Sequence, residues 1–333
     1  MTITADEPTL TPAAVVAGAW LTQAQAASDS VAARAGALAT AAWAQFDAWY
    51  DDAAVATTAA VVAATSADAQ GIVSSHASEV VGQIISALTG RRRIVVPRIS
   101  TPTIRGGADP VVVHSRPAQV YRDTFATTGD EAAARAAAFA RELELIETDI
   151  MLAVREAERD SYEAVGVTHY RRVIHPELSK SGTCGLCIAA ADQIYSTRDL
   201  LPIHPPSCRC KTLPILDGKD PAAELNTSDL YKLAKQQAGG KADRYSLSKV
   251  RYQVREHGEY GPTLTVAGQH FTGPQQIAKP TGITPAQATK QLAALHPVLA
   301  SLESRAAAGS DVAKPLAYQR RLIAKLERIA AGG

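Results

Sequence analysis

Residues 130–165 read DEAAARAAAFARELELIETDIMLAVREAERDSYEAV. Ala, Glu, Arg and Leu, all strong helix formers, dominate a stretch without Pro or Gly. Phe139, Leu143, Ile146, Ile150 and Val154 recur at steps of four, three, four and four, an apolar stripe of helical period. Gly166 suits the stop. One long amphipathic helix is predicted here, and it makes the fold class mainly α.

Upstream, residues 1–90 predict an Ala-rich helical bundle of three helices. Thr11-Pro12 is a start signal, Ser28-Asp29-Ser30 offers a second cap, and Gly90 ends a helix running from about Asp68 to Leu88. Trp43, Phe46 and Tyr50 share one face of the middle helix through their spacing. All three tryptophans of the chain lie in this region, which marks an aromatic core. Residues 91–118 change character. Arg91-Arg92-Arg93 opens a stretch with four prolines, a Gly pair and β-branched runs, read as an extended connector.

Downstream, Thr168–Ile174 and Lys211–Leu216 alternate like strands. The part beyond residue 220 is mixed. Short helices are expected at about 228–237 and 247–257, and a hairpin at Thr263–Phe271. Two closing helices should start at Thr284-Pro285 and near Asp311. The linear domain reading is thus 1–90, 91–118, 119–220 and 221–333.

Composition narrows the function. Ala fills 64 of 333 positions, charged residues are 20% and the formal net charge is +1, which excludes a disordered polyelectrolyte. The charge is lopsided: residues 1–90 hold one cation and eight acids, net −7, and residues 91–333 hold 33 cations and 25 acids, net +8. Two halves with different neighbours are implied, without the basic excess of a dedicated nucleic-acid binder. The start MTITADEPTL is acidic and lacks a basic region before an apolar run, so no secretory signal is expected. The most apolar stretch, Ala53–Ala67, falls short of the ~20 residues that span a bilayer, so no membrane partner is expected.

All four cysteines fall between the two predicted strands: Cys184-Gly-Leu-Cys187, then His204-Pro-Pro-Ser-Cys208-Arg-Cys210. A thiol pair two residues apart, an excursion, then a His and further thiols is the arithmetic of a closed zinc site. Zinc needs four soft or borderline ligands in a tetrahedron. Cys184 and Cys187 offer two from one turn, and His204 and Cys208 close the site, with Cys210 as alternative ligand or buried thiol. Pro202, Pro205 and Pro206 stiffen the backbone around His204. Competing readings are two disulfides, a redox Cys-x-x-Cys, and buried thiols beside a surface His. The first suits an intracellular chain poorly, and the second lacks a preceding βαβ unit. A filled site leaves no open coordination position, so a structural Zn2+ is implied, and with it a small α+β subdomain stapled by metal.

At these residues the sequence resembles the phage Mu F-like minor head proteins, also called head morphogenesis proteins, of the type found in actinobacterial phages. The resemblance runs over about residues 119–216. It is carried by Leu145-Ile-Glu-Thr-Asp149, Ala-Val-Arg-Glu-Ala157 and Tyr162, then Cys184-x-x-Cys187, Ile194-Tyr195, Pro202-Ile-His-Pro-Pro-Ser-Cys208-Arg-Cys210 and Pro214. Tyr170 stands where the family often has Trp, and Ala190-Ala-Asp192-Gln where it has Leu-Asp-Gly. The resemblance implies a non-enzymatic minor capsid component, assembled in the host cytoplasm and placed inside the virion head at the portal vertex. Its implied partners are the portal protein, scaffold or major capsid protein, and packaged DNA.

Two other functions compete. A capsid-maturation protease would draw a base from His114, His169, His175, His257, His270 or His296, but no nucleophile elbow marks a Ser. A zinc-stapled nucleic-acid binder or nuclease would set His204, Arg209 and Lys211 against phosphate, without the open metal position that hydrolysis needs.

Overall fold

The computed structural model describes residues 10–91, 96, 104–175, 185–199, 210–226, 252–257, 261–266 and 283–332. The chain is mainly helical. Its elements are α1 (Pro12–Ala44), α2 (Asp52–Thr89), a 3-10 turn (Arg105–Gly107), α3 (Pro110–His114), α4 (Arg116–Thr128) and α5 (Glu131–Ala164). Then follow β1 (His169–Val173), α6 (Gly185–Ala191), β2 (Ile194–Ser196), β3 (Lys211–Ile215), α7 (Pro221–Leu225), β4 (Tyr252–His257), β5 (Gly261–Val266), α8 (Pro285–Ala307) and α9 (Ala313–Ala330). Among the described residues, no helix is long and apolar enough to cross a membrane.

The contacts gather into two compact units that do not follow the linear blocks read above. One comprises Met1–Arg34, Ser66–Gly107 and Glu147–Ile277, the other Ala35–Thr65, Ala108–Ile146 and Ala278–Gly333. The reason is helix length. α1, α2 and α5 have 33, 38 and 34 residues, and each contributes one part to either unit.

In the first unit β1 is the centre of an antiparallel sheet ordered β2-β1-β3. Its core joins Leu21 of α1 and Val80, Ile84 and Leu88 of α2 to Val173 and Leu213 of the sheet. A second cluster sets Val81 and Ile85 against Tyr162, Val167 and Tyr170. Helix ends are secured across the unit. The Lys219 ammonium donates to the Leu88 carbonyl at the end of α2 (2.6 Å), and Thr11 donates through its backbone N and hydroxyl to Glu224 (2.9 and 2.8 Å). In the second unit, Trp43 stacks on Trp49 (5.4 Å) and Trp49 on Tyr121 (4.3 Å). Ala288, Leu292, Ile323 and Leu326 hold α8 against α9.

Several expectations need correction. Residues 10–90 form two helices where three were read. Ser28-Asp29-Ser30 starts nothing, because the Ser28 hydroxyl bonds back to the Ala24 carbonyl (2.9 Å) and Gln25 donates to Asp29 (2.8 Å), both within α1. α1 ends at Ala44, so Phe46, Trp49 and Tyr50 sit in or beside the turn before α2. The extended connector fails at 105–118, where α3 and the start of α4 stand. Asp109 caps α3 by accepting from the Val111 N–H (2.9 Å) with Pro110 at the first position, which outweighs the β-preference of Val111-Val-Val113. The hairpin is β4–β5, with Tyr252 opposite Val266, so its first strand occupies part of the helix expected at 247–257. The helix expected at about 228–237 lies outside the described residues.

Candidate functional site

β1 organises the region that holds the cysteines. Tyr170 faces Tyr195 of β2 on one side and Pro214 of β3 on the other. The chain leaves β1 at Val173, passes through α6, returns along β2, and comes back into β3 at Lys211, the residue opposite Val173. Side chains lock this frame. The Tyr195 hydroxyl donates to the Ala190 carbonyl (2.7 Å), and Arg171 donates to Asp220 (2.7 Å) and to the Ala191 carbonyl (3.3 Å). The C-terminal end of α6 is therefore tied to strands on both sides. Asn226 accepts from the Ile174 N–H (3.0 Å) and donates to the Arg172 carbonyl (2.6 Å), extending the order past the end of β1.

Cys187 is buried on α6, and Cys210 is buried one residue before β3. Cys184, His204 and Cys208 lie outside the described residues. Among the described residues, no cluster of three or more His, Cys, Asp or Glu is arranged to hold a metal. Cys210 lines a cavity of about 30 Å³ with Gln25, Ser28, Glu158 and Lys211 among others. That is room for a water or two. None of those neighbours belongs to the predicted zinc set.

Sequence reading missed the polar residues on the buried face of α5. The buried positions of α5 include Ala134, Ala138, Glu142, Leu145, Asp149, Ala153, Ala157 and Ser161, at steps of three or four. The signal was present as a helical period that counted Ala and polar residues together, and an apolar-only count hid it. Phe139 is half-buried and Leu143 is 42% exposed, so two members of the predicted stripe sit at its edge.

Each buried acid has partners within its unit. Asp149 accepts from Arg105 Nε (2.5 Å) and the Ser66 hydroxyl (2.7 Å). Glu158 accepts from the Thr212 hydroxyl (3.0 Å), and the Tyr162 hydroxyl donates to the Thr212 carbonyl (3.1 Å), latching α5 to β3. Burial lifts the Glu158 carboxyl above its usual range, against the opposing pull of Lys211 and the Thr212 hydrogen bond. Burial, then the neighbouring Arg172 charge, push the Arg155 guanidinium down to about 9. In the other unit, Glu142 pairs with His114 Nδ1 (2.8 Å) and accepts from the Trp43 indole N–H (3.1 Å).

The residues considered for the competing chemistries differ in accessibility. His114 has the carboxylate partner of a general base but is only 1% exposed, so a polypeptide substrate has no access to it. His175 is also buried, whereas His169 and His296 are exposed. His270 and the side chain of His257 lie outside the described residues. Lys211, one of three residues considered for phosphate, is buried within β3. His204 and Arg209 lie outside the described residues. Comparison of the chain with protein-family models, curated proteins and solved structures gives no match.

Proposed function

We propose that this chain is a structural minor capsid protein of a tailed phage, of the Mu F-like head morphogenesis type. It works inside the head at the portal, with a structural Zn2+ held by Cys184, Cys187, His204 and Cys208. The observation that carries the reading is the pairing of β1 with both β2 and β3, which makes Val173 and Lys211, on either side of the stretch that holds the four cysteines, register partners. The long helix α5, a strand, the Cys187 helix, and two strands, the second of which contains Pro214, follow the order of the motifs that the resemblance rests on.

A tetrahedral cross-link suits such a stretch. Three sulfurs and an imidazole are the donor set zinc prefers, and binding in small zinc modules is worth on the order of 10 kcal/mol. The bound ion would cross-link this stretch, and Arg171 of β1, Tyr195 of β2 and Asn226 after α7 would hold the frame around it. The role is assembly, with no chemistry asked of the metal.

The test is co-expression with the portal protein of the same phage, followed by isolation of portal complexes and metal analysis. Low-stoichiometry co-purification, with about one zinc per chain lost on Cys184→Ser or Cys208→Ser, is the expected result. Absence from both procapsids and mature virions would overturn the assembly role. A zinc content near zero in chelator-free preparations would overturn the metal.

A further inference from the structure

α9 combines a buried face with a flank of uniform charge. Pro315, Gln319, Ile323 and Leu326 are its buried positions. Lys314, Arg321, Lys325 and Arg328 are all exposed and follow one another at steps of seven, four and three. At 3.6 residues per turn those four side chains fall in a sector about 60° wide, centred about 145° from the buried face, along about 21 Å of helix. Arg320, on the other flank, pairs with Glu303 (2.8 Å). Glu327, the one acid of α9, also falls on that other flank.

Several other cations in this unit are engaged. Arg122 pairs with Asp52, Arg135 with Glu131 and Arg141 with Glu144, while Arg305 donates to the carbonyls of Phe125 and Ala126. Among the described residues, no carboxylate lies within ion-pair distance of Lys314, Arg321, Lys325 or Arg328. Two acids, Asp51 and Asp52, line a cleft of about 460 Å³ together with Arg321 and Lys325. Both are committed elsewhere. Asp51 accepts from the Ala53 and Ala54 N–H groups at the start of α2 (2.9 and 3.2 Å), and Asp52 accepts from Arg122 (2.9 Å).

We infer that this stripe is a contact surface for the phosphate backbone of duplex DNA. A linear row of unneutralised cations with no acid interleaved matches a linear array of phosphates, which presents one charge per ~1.7 Å of duplex axis. Base readout is not part of the contact, because an evenly charged row of Lys and Arg along one side of a helix matches phosphates and carries no pattern of donors and acceptors specific to a base. The inference deepens the head-protein reading by naming a surface for packaged DNA, and rests on that reading for its biological setting alone.

The test measures binding of the full chain to a labelled duplex of about 20 bp between about 50 and 200 mM salt. Four phosphate contacts contribute about −3.6 to the slope of log K against log salt, so these contacts alone weaken binding about 150-fold over that range. The variant Lys314→Gln/Arg321→Gln/Lys325→Gln/Arg328→Gln should lose that share of the slope, while Arg321→Lys/Arg328→Lys should keep it. Circular dichroism checks that the variants are folded. No duplex binding at the lowest salt, or a Gln variant with the wild-type slope, overturns the proposal. Binding of polyglutamate through the stripe with no binding of duplex also overturns it, in favour of an acidic protein partner. Portal co-purification of the Gln variant reads the head-protein proposal separately.

Discussion

Asp149→Ala removes the acceptor from a buried guanidinium, and its effect can be worked from the structure. Asp149 and Arg105 are 2% and 4% exposed, and the carboxylate also accepts the Ser66 hydroxyl. Arg105 begins a turn in which it, Gly106 and Gly107 all have positive φ (55°, 62° and 78°), and Arg105 pays a steric penalty there that glycine does not. Truncating Asp149 leaves a buried cation without this counterion and removes the anchor of the strained turn. Loss of one partner of a buried pair costs about 3–5 kcal/mol, a large fraction of a total stability of about 5–15. For a unit of this size that is a fall in Tm of about 6–20 °C, read by differential scanning calorimetry and by urea midpoints. Limited proteolysis should open first at residues 104–107. The double variant Asp149→Leu/Arg105→Met should recover most of the loss, because no charge is then left buried. A single variant within about 1 kcal/mol of wild type would refute the reasoning, since the pair would then be solvated in solution.

Other consequences follow from the same contacts. Gly129 ends α4 at φ 75°, and a Cβ there would lie 2.6 Å from Arg305, so Gly129→Ala should cost about 2 kcal/mol or more in urea denaturation. An unchanged midpoint would contradict the strain expected at this left-handed position, which remains even where the end of the Arg305 side chain moves aside. Tyr162→Phe removes the hydroxyl that donates to Thr212 and should cost about 1–2 kcal/mol, with no loss of helix signal by circular dichroism. Burial holds the proton on Glu158 above the ordinary carboxyl range. The folded chain therefore keeps a proton that the unfolded chain releases near pH ~4.3, and stability falls as pH rises from there to the lifted value. Glu158→Gln should gain on wild type across that interval, and parallel pH–stability curves would contradict the sign. Finally, Glu142→Ala should destabilise by about 3–5 kcal/mol, with Trp43 fluorescence reporting the lost indole contact.

What could be read from residues alone was whatever local chemistry decides. α5 was predicted at 130–165 and spans Glu131–Ala164, because its helix formers, its period and its Gly166 stop agree with one another. β1 and β3 were legible from alternation. α8 was legible from Thr284-Pro285, where Thr284 and Gln287 form a reciprocal cap. The failures came where local signals conflict or tertiary contacts decide. Ser28-Asp29-Ser30 has the chemistry of a cap, but Ser28 is 8% exposed within α1 and bonds backward. Val111-Val-Val113 looks like a strand until Asp109-Pro110 is weighed. The four expected zinc ligands were read from spacing; of these Cys187 is buried on α6, and Cys184, His204 and Cys208 lie outside the described residues.

The polar residues of α5 have a physical logic that an apolar count cannot express. Ala at helix contacts permits close approach but supplies little shape, and an Ala-rich face slides past another with small change in buried area. Ala14, Ala17, Ala35, Ala39, Ala59 and Ala63 on α1 and α2, and Ala134, Ala138, Ala153 and Ala157 on α5, are all buried. A slip of one turn, about 5.4 Å, would replace most of these contacts with equivalent ones. It would not replace Glu142 between His114 and Trp43, or Asp149 between Arg105 and Ser66. Each acid would then be buried without its donors, at a cost of several kcal/mol, while in register it contributes little beyond neutrality. The buried acids therefore select the register more than they add to its stability. In a chain with 64 alanines, that selection is the part of folding that hydrophobic burial leaves undone.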